Sequence, residues 1–369
     1  MNSVAGIRQL FVLHKRMSER HFNKGPCLTS SMKSHPFPHS LTTYRERFPN
    51  FCFFAAGSFI VNRSSMLKNT IKGILNSLPY VSHLNRELKR YKTWYPPGHY
   101  YNPLVNAREL EPYADTLFDM KRKSVHGIDF QEEKQLTLLD DLIPYYKELP
   151  FPVEQTPGFR YYLGNGIFSY SDGIFLHMLM RHWKPKRIIE VGSGHSSAVM
   201  IDTNERFMGN SVKLTFIEPY PERLYSLLKD ADKTQNRIFE KPIQQVPLGE
   251  FEALESGDIL FVDSSHVSKT GSDVNFIFFE VLPRLKSGVI VHFHDVFTPM
   301  EYPRPWVMKQ HDWFGFNEIY ILRAFLMYNP EFEVLLFNTF LEEHHEAWFK
   351  KHMPLCLENK GGSIYIRRK

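Results

Sequence analysis

Short apolar runs alternate with amphipathic stretches through the second half of the chain. Runs at 187–191, 213–218, 258–263 and 289–294, with a weaker one at 237–241, are short and rich in β-branched residues. Such runs read as buried strands. Helical spacing fills the gaps between them, at 196–207, 221–228, 273–285 and 317–328. Strand alternating with helix predicts an α/β fold: a mostly parallel sheet with helices on both faces. Two more strand candidates, 332–337 and 363–367, flank an acidic, aromatic stretch at 341–357 and bring the expected sheet to seven strands. No internal repeat is visible.

Upstream, an apolar helix is predicted over 172–183, with Asp172 as its cap and Lys184-Pro185 as its end. Another helix is expected at 132–149, after the turn-rich WYPPGHYYNP of residues 94–103. The first amphipathic pattern, Leu67, Ile71, Ile74, Leu75 and Leu78, opens beside Met66. Residues 1–65 show no sustained periodicity and are expected to be a disordered extension, with Met66 as the natural start. The organisation read from the pattern is therefore an extension at 1–65, a helical and loop addition at 66–158 and the main α/β domain at 159–369.

Composition narrows the function classes. A chain of 369 residues with 43% hydrophobic content buries a core without difficulty. Cys27, Cys52 and Cys356 are odd in number and widely spaced, which indicates neither a disulfide framework nor a cysteine zinc site. A cytoplasmic setting is the default. Eight Lys and Arg against two Glu fall in residues 1–48, so the rest of a chain of net charge +5 is close to neutral and gives no nucleic-acid footprint. The apolar run 51–61 is about a third to a half of the length a spanning helix needs, so no membrane span is expected.

The chemistry gathers at strand ends. In RIIEVGSGHSS, a strand runs into a glycine turn and then a helix; Gly192 and Gly194 allow a tight turn and close backbone approach, and Ser196 or Ser197 can cap the helix. Glu218 ends the next strand, 26 residues after Gly192, near the spacing at which an acid takes both ribose hydroxyls of a nucleotide. Asp263 and Asp295 end two more strands, at the edge where open parallel sheets bind ligands. Asp263, His294 and Asp295 form a candidate divalent cation site; a histidine ligand puts Mn²⁺, Fe²⁺ or Zn²⁺ beside Mg²⁺. His292 shares a face with His294 one pair deeper and reads as a packed core histidine. The Pro- and aromatic-rich FTPMEYPRPW reads either as a lid that walls an acceptor pocket with WYPPGHYY, or as a loop folded on its own aromatics.

EVGSGHSS, FIEP, ILFVDSSH, LPRLKSGVIVHFHDVF and GGSIYIRR resemble, in order and spacing, the motifs of class I S-adenosylmethionine-dependent methyltransferases, and especially a bacterial branch with VDSSH and HFHD signatures. The resemblance runs from about Leu67 to the C-terminus and implies a Rossmann-like sheet. It further implies that Glu190 and the turn Gly192, Ser193, Gly194 and His195 hold the cofactor's methionine and ribose side, that Glu218 takes the ribose hydroxyls, and that Asp263 lies beside the sulfonium. Metal-dependent catechol-type O-methyltransferases carry an Asp after strand four, a basic residue three positions later, and an Asp-Asn pair ending strand five. Here those positions read Asp263, His266, and His294-Asp295. The expected reaction is methyl transfer to an oxygen of a small-molecule or glycan acceptor, with cation assistance, Asp263 beside the reacting centre and His266 as proton acceptor.

A metal-dependent hydrolase or hydroxylase using the His/Asp cluster and a non-catalytic cofactor-binding module are the rival readings. A dinucleotide dehydrogenase is disfavoured because GSGHSS lacks the third fingerprint glycine. A homo-oligomer is compatible with the chain. Deleting residues 1–65 is expected to leave the melting temperature and S-adenosylmethionine affinity unchanged, as a thermal melt and a calorimetric titration of both forms will show.

Overall fold

The computed structural model describes residues 68, 70–91, 95–309 and 315–369. Two compact units divide at Leu84. The first, Met1–Leu84, is helical at 70–77 and carries exposed Ile71, Ile74, Leu75 and Leu78. The expected extension at 1–65, along with Met66, Leu67 and Trp94, lies outside the described residues. Among the described residues, no helix is long and apolar enough to cross a membrane.

The second unit, Asn85–Lys369, is built on a seven-stranded sheet. Its strands are β1 (Arg187–Val191), β2 (Lys213–Ile217), β3 (Arg237–Phe239), β4 (Ile259–Val262), β5 (Ile290–His294), β6 (Phe332–Phe337) and β7 (Ser363–Arg368). Their order is β3-β2-β1-β4-β5-β7-β6, parallel except that β7 runs antiparallel to β5 and β6. β1, β4 and β5 sit centrally and are buried almost throughout, which is why they read as unbroken apolar runs. The sheet is Rossmann-like, and the reversal of strand order between β1 and β4 opens the crevice in which such folds bind ligands.

The helices used below are α1 (Pro79–Tyr91), α2 (Glu132–Lys147), α3 (Ser171–Trp183), α4 (His195–Phe207), α5 (Glu222–Leu227), α6 (Asp230–Gln235), α7 (Arg304–Met308), α8 (Glu318–Leu326), α9 (Asn338–His344) and α10 (Glu346–His352). The single helix expected at 273–285 is instead an α turn at Asp273–Phe276, a wider turn at Ile277–Val281 and a 3₁₀ turn at Leu282–Arg284. Pro283 lacks the N–H that a continuous helix would use. Asp172 does not cap α3, which starts one residue earlier; its carboxylate accepts from Gly362 N (2.9 Å) and Ser363 Oγ (2.6 Å).

Residues 125–151 share the core of the sheet: Val125, Phe130, Leu139, Leu142 and Phe151 belong to the same buried cluster. Buried Gln135 of α2 accepts from Phe337 N at the end of β6 (2.7 Å).

Arg160 fastens the segment before α3 to the main helices. Its guanidinium makes two bonds to Asp232 of α6 (2.7 and 2.6 Å) and one to Asp202 of α4 (2.7 Å), while Asp202 also accepts from Arg160 N and Tyr161 N (2.8 and 3.0 Å). All three side chains are buried. Removing one member of such a network strands the others without a partner. Arg160→Met is therefore expected to lower stability by about 3–5 kcal/mol in chemical denaturation.

Candidate active site at the C-terminal edge of the sheet

The turn after β1 owes its shape to a close approach. Gly192 sits at φ +82°, and a Cβ there would stand 1.8 Å from the carbonyl oxygen of Asp263. Asp263 N in turn donates to Val191 O (2.9 Å), so the loops after β1 and β4 are locked together. Ser193 N and Tyr220 N donate to the two oxygens of Glu218 (3.0 and 2.8 Å), which fixes that carboxylate beside the turn. Gly194 N donates to Ser197 Oγ (3.0 Å), and Ser197 Oγ donates to Glu190, so Ser197 closes the start of α4 from inside the helix.

Glu190 is fully buried. Burial pushes its carboxyl up to about 8, against the stabilising hydroxyls of Ser196, Ser197 and Ser193. His195 is held down at about 4 by burial and by the charge of Arg223, and it meets Tyr162 edge to face (6.2 Å). His195 Nδ1 and Ser264 Oγ are buried without a hydrogen-bond partner among the described residues. Orphaned polar atoms flanking a glycine turn and a fixed acid suit a polar, nucleoside-like ligand.

One strand across, the ends of β4 and β5 converge. His294 Nδ1 lies 3.3 Å from Asp263 Oδ1 and 3.7 Å from Asp295 Oδ1. His266, at φ +57°, turns its ring into the same space, with Nε2 3.3 Å from Asp263 Oδ1 and 3.4 Å from Asp295 Oδ2. Ligand atoms of Asp263, His266 and His294 all fall within 4.8 Å of one another. The side chains of Asp263 and Asp295 are 24% and 18% exposed, so the carboxylates form the open side of the cluster.

The electrostatics follow from this crowding. Burial works against charge on His266, but bonds to Asp263 and Glu318 and the charge of Asp295 outweigh it and push the ring up to about 10. His294 is likewise held well above the ordinary value, because the charges of Asp263, Asp295 and Asp172 overcome its burial. The sequence assigns His266 the proton-accepting role of a free histidine near its ordinary value. The bonds to Asp263 and Glu318 instead favour the protonated ring over the free base that this role needs.

Two members of the cluster were not read from the sequence. Glu318, at the start of α8, has Oε2 2.8 Å from His266 Nδ1, and Asp172 of α3 has Oδ2 3.4 Å from His294 Nε2. No local signal marks them, since each lies more than fifty residues from its histidine. His292 is a packed core residue, stacked on Phe261 (3.7 Å) and bonded to Ser363 Oγ (2.9 Å).

The aromatic segments are mostly turned on themselves. Met300 and Tyr302 are buried, Phe297 meets Trp306 edge to face (5.2 Å), and Tyr95, His99, Tyr100 and Tyr101 stack together. α7 packs against Ala107–Leu110, yet the cavity of about 800 Å³ beside that turn is lined by residues 96–109 and by none of the cluster.

Residues 189–296, which span the glycine turn through Asp295, match the family described as "Methyltransferase domain". An uncharacterized protein of Archaeoglobus fulgidus is 32% identical over 188 residues, covering 48% of this chain and 82% of the relative. SAH-bound methyltransferase PaMTH1 of Podospora anserina is similar at 18% identity and TM-score 0.37, over 75% of this chain and 99% of that one. The O-methyltransferase TomG of Streptomyces achromogenes is similar at 15% identity and TM-score 0.35, over 71% and 96%. At such scores the two structures add nothing to the assignment. Together with the fold and the site, the sequence match defines the class: the chain belongs to the class I S-adenosylmethionine-dependent methyltransferases.

Gly192→Ala is expected to destabilise the protein by more than about 1–2 kcal/mol, from the positive φ alone, and to separate the β1 and β4 loops. Thermal melts check the first effect and loss of S-adenosylmethionine binding by calorimetry checks the second.

Proposed function

We propose that the chain transfers the methyl group of S-adenosylmethionine to a hydroxyl oxygen of a small-molecule or glycan acceptor, assisted by a divalent cation at Asp263, His294 and Asp295. The observation that carries this reading is the double role of Asp263. Its backbone is bonded to the cofactor turn through Val191 O, and its side chain belongs to the His/Asp cluster. Methyl donor and acceptor hydroxyl would therefore meet across one residue.

Bound S-adenosylmethionine supplies an already activated methyl group, and a bound cation lowers the pKa of a hydroxyl that it touches. The chain's own residues then have three tasks. Glu218, whose carboxylate is fixed by two backbone N–H groups, accepts the ribose hydroxyls. Glu190, Gly192, Ser193, Gly194 and His195 enclose the rest of the cofactor against the start of α4. Asp263 and Asp295 face the open side, where they orient the acceptor and hold it in line, and the hydroxyl proton released on methyl transfer passes to Asp295, whose carboxyl burial raises above its ordinary value.

Calorimetry and a methyl-transfer assay test the reading together. S-adenosylmethionine is expected to bind in the micromolar range, and Glu218→Ala to weaken it at least tenfold with little change in melting temperature. Transfer of labelled methyl to hydroxyl-bearing acceptors is expected to fall on addition of chelator. Absence of cofactor binding by folded protein would refute the methyl-transfer reading, and chelator-insensitive turnover would refute the cation.

A further inference from the structure

We infer that the cation of this site is a first-row transition ion of the Mn²⁺, Fe²⁺ or Zn²⁺ kind, that His266 joins Asp263, His294 and Asp295 in holding it, and that Glu318 and Asp172 are positioning residues for the two imidazoles. The inference rests on the reading of the cluster as a cation site.

The spacing of the donors is the first argument. The four separations between ring nitrogens and carboxylate oxygens are 3.3, 3.4, 3.3 and 3.7 Å. At metal–ligand distances of about 2.1 Å, neighbouring donors stand about 3.0 Å apart in an octahedral shell and about 3.4 Å apart in a tetrahedral one. The two ring nitrogens flank one oxygen of Asp263 at that spacing, and Asp295 stands beside them with one oxygen toward each ring.

The far side of each ring is the second argument. A metal-bound imidazole uses one nitrogen as a lone-pair donor and keeps its N–H on the other, so it needs an acceptor behind it. His266 Nδ1 has Glu318 Oε2 at hydrogen-bond distance (2.8 Å), and His294 Nε2 has the Asp172 carboxylate behind it at 3.4 Å, an ion-pair distance without a formed hydrogen bond. Both inward nitrogens, Nε2 of His266 and Nδ1 of His294, are the ones that face Asp263 and Asp295. The backbone enforces the same arrangement, because Asn317 N and Glu318 N both donate to His266 O (2.9 and 3.1 Å) and dock the start of α8 on that residue.

Ligand type selects the ion. Mg²⁺ favours oxygen ligands and retained waters, whereas imidazole nitrogens favour the later divalent ions. Four carboxylates, from Asp263, Asp295, Glu318 and Asp172, gather around the two rings, a surrounding that suits a dication.

The test is a titration of chelator-stripped full-length protein with MnCl₂, ZnCl₂ and MgCl₂, read by calorimetry and by melting temperature. Mn²⁺ or Zn²⁺ is expected to bind and raise the melting temperature at concentrations at least about 100-fold below those at which Mg²⁺ does so. Glu318→Gln is expected to weaken Mn²⁺ about 10–100-fold, with metal-free S-adenosylmethionine affinity retained. His266→Ala, which removes a donor outright, is expected to cost at least as much and serves where Glu318→Gln fails to fold. Equal affinity for Mg²⁺ and Mn²⁺, or unchanged Mn²⁺ affinity in both folded variants, would overturn the inference. Failure of every divalent ion to bind would overturn it along with the cation in the functional reading, while the separate cofactor titration decides the methyl donor.

Discussion

The carboxylate of Asp172 ties the antiparallel end of the sheet to the chemistry at its centre. An ionised carboxylate buried among apolar helices is costly unless every oxygen is partnered. Asp172 accepts from Gly362 N, from Ser363 Oγ and from Asn338 Nδ2 (3.0 Å), and it faces the ring of His294. These partners come from the start of β7, the start of α9 and the end of β5, three elements distant in sequence. The space is tight enough that a Cβ on Gly361 would stand 2.0 Å from Asn338 Nδ2 and 2.5 Å from Asp172 Oδ1, and one on Gly362 would stand 2.9 Å from the Phe297 ring, which accounts for the two glycines before the last strand. With β7 anchored there, Ser363 pairs with His294 and the last residue of β5 is held at the mouth of the cluster.

Asp263 performs the corresponding task between β1 and β4. Its N–H extends the pairing of the two strands by one residue, and its carbonyl occupies the place where any side chain at 192 would project. A shift of the glycine turn therefore moves the backbone of Asp263, and with it the carboxylate shared by His266 and His294. The two halves of the site are mechanically one object, joined through a single residue.

Much of this was legible in the sequence because the central strands are buried on both faces, and burial leaves a run of β-branched and aromatic residues that ends abruptly in Gly192, Glu218, Asp263 or Asp295. The strand ends, and hence the residues at the ligand edge, follow directly. The path of 273–285 was less legible, since Pro283 near the end of an otherwise helical pattern changes the turn without changing the hydrophobic face. Asp172 was misread for a different reason. An acid at the start of an apolar helix has the local signature of a cap, and only the fold reveals that β7 arrives within hydrogen-bond distance. Glu318 carried no signature at all, being one acid in the first turn of an amphipathic helix.

The misread acids explain the departures in the motifs. Where the sequence differs from the catechol-type pattern, a histidine has entered at 266 and another at 294. An imidazole that faces a carboxylate with one nitrogen must satisfy the other nitrogen as well, so each histidine requires a second acceptor on its outer side. Glu318 supplies it for His266 by a hydrogen bond, and Asp172 sets a carboxylate charge 3.4 Å behind His294. The acceptors come from helices on opposite sides of the chain order, one after β5 and one before β1, and both are themselves buried. Each ring thus comes paired with a buried carboxylate, whose charge offsets the cost of burying an imidazolium.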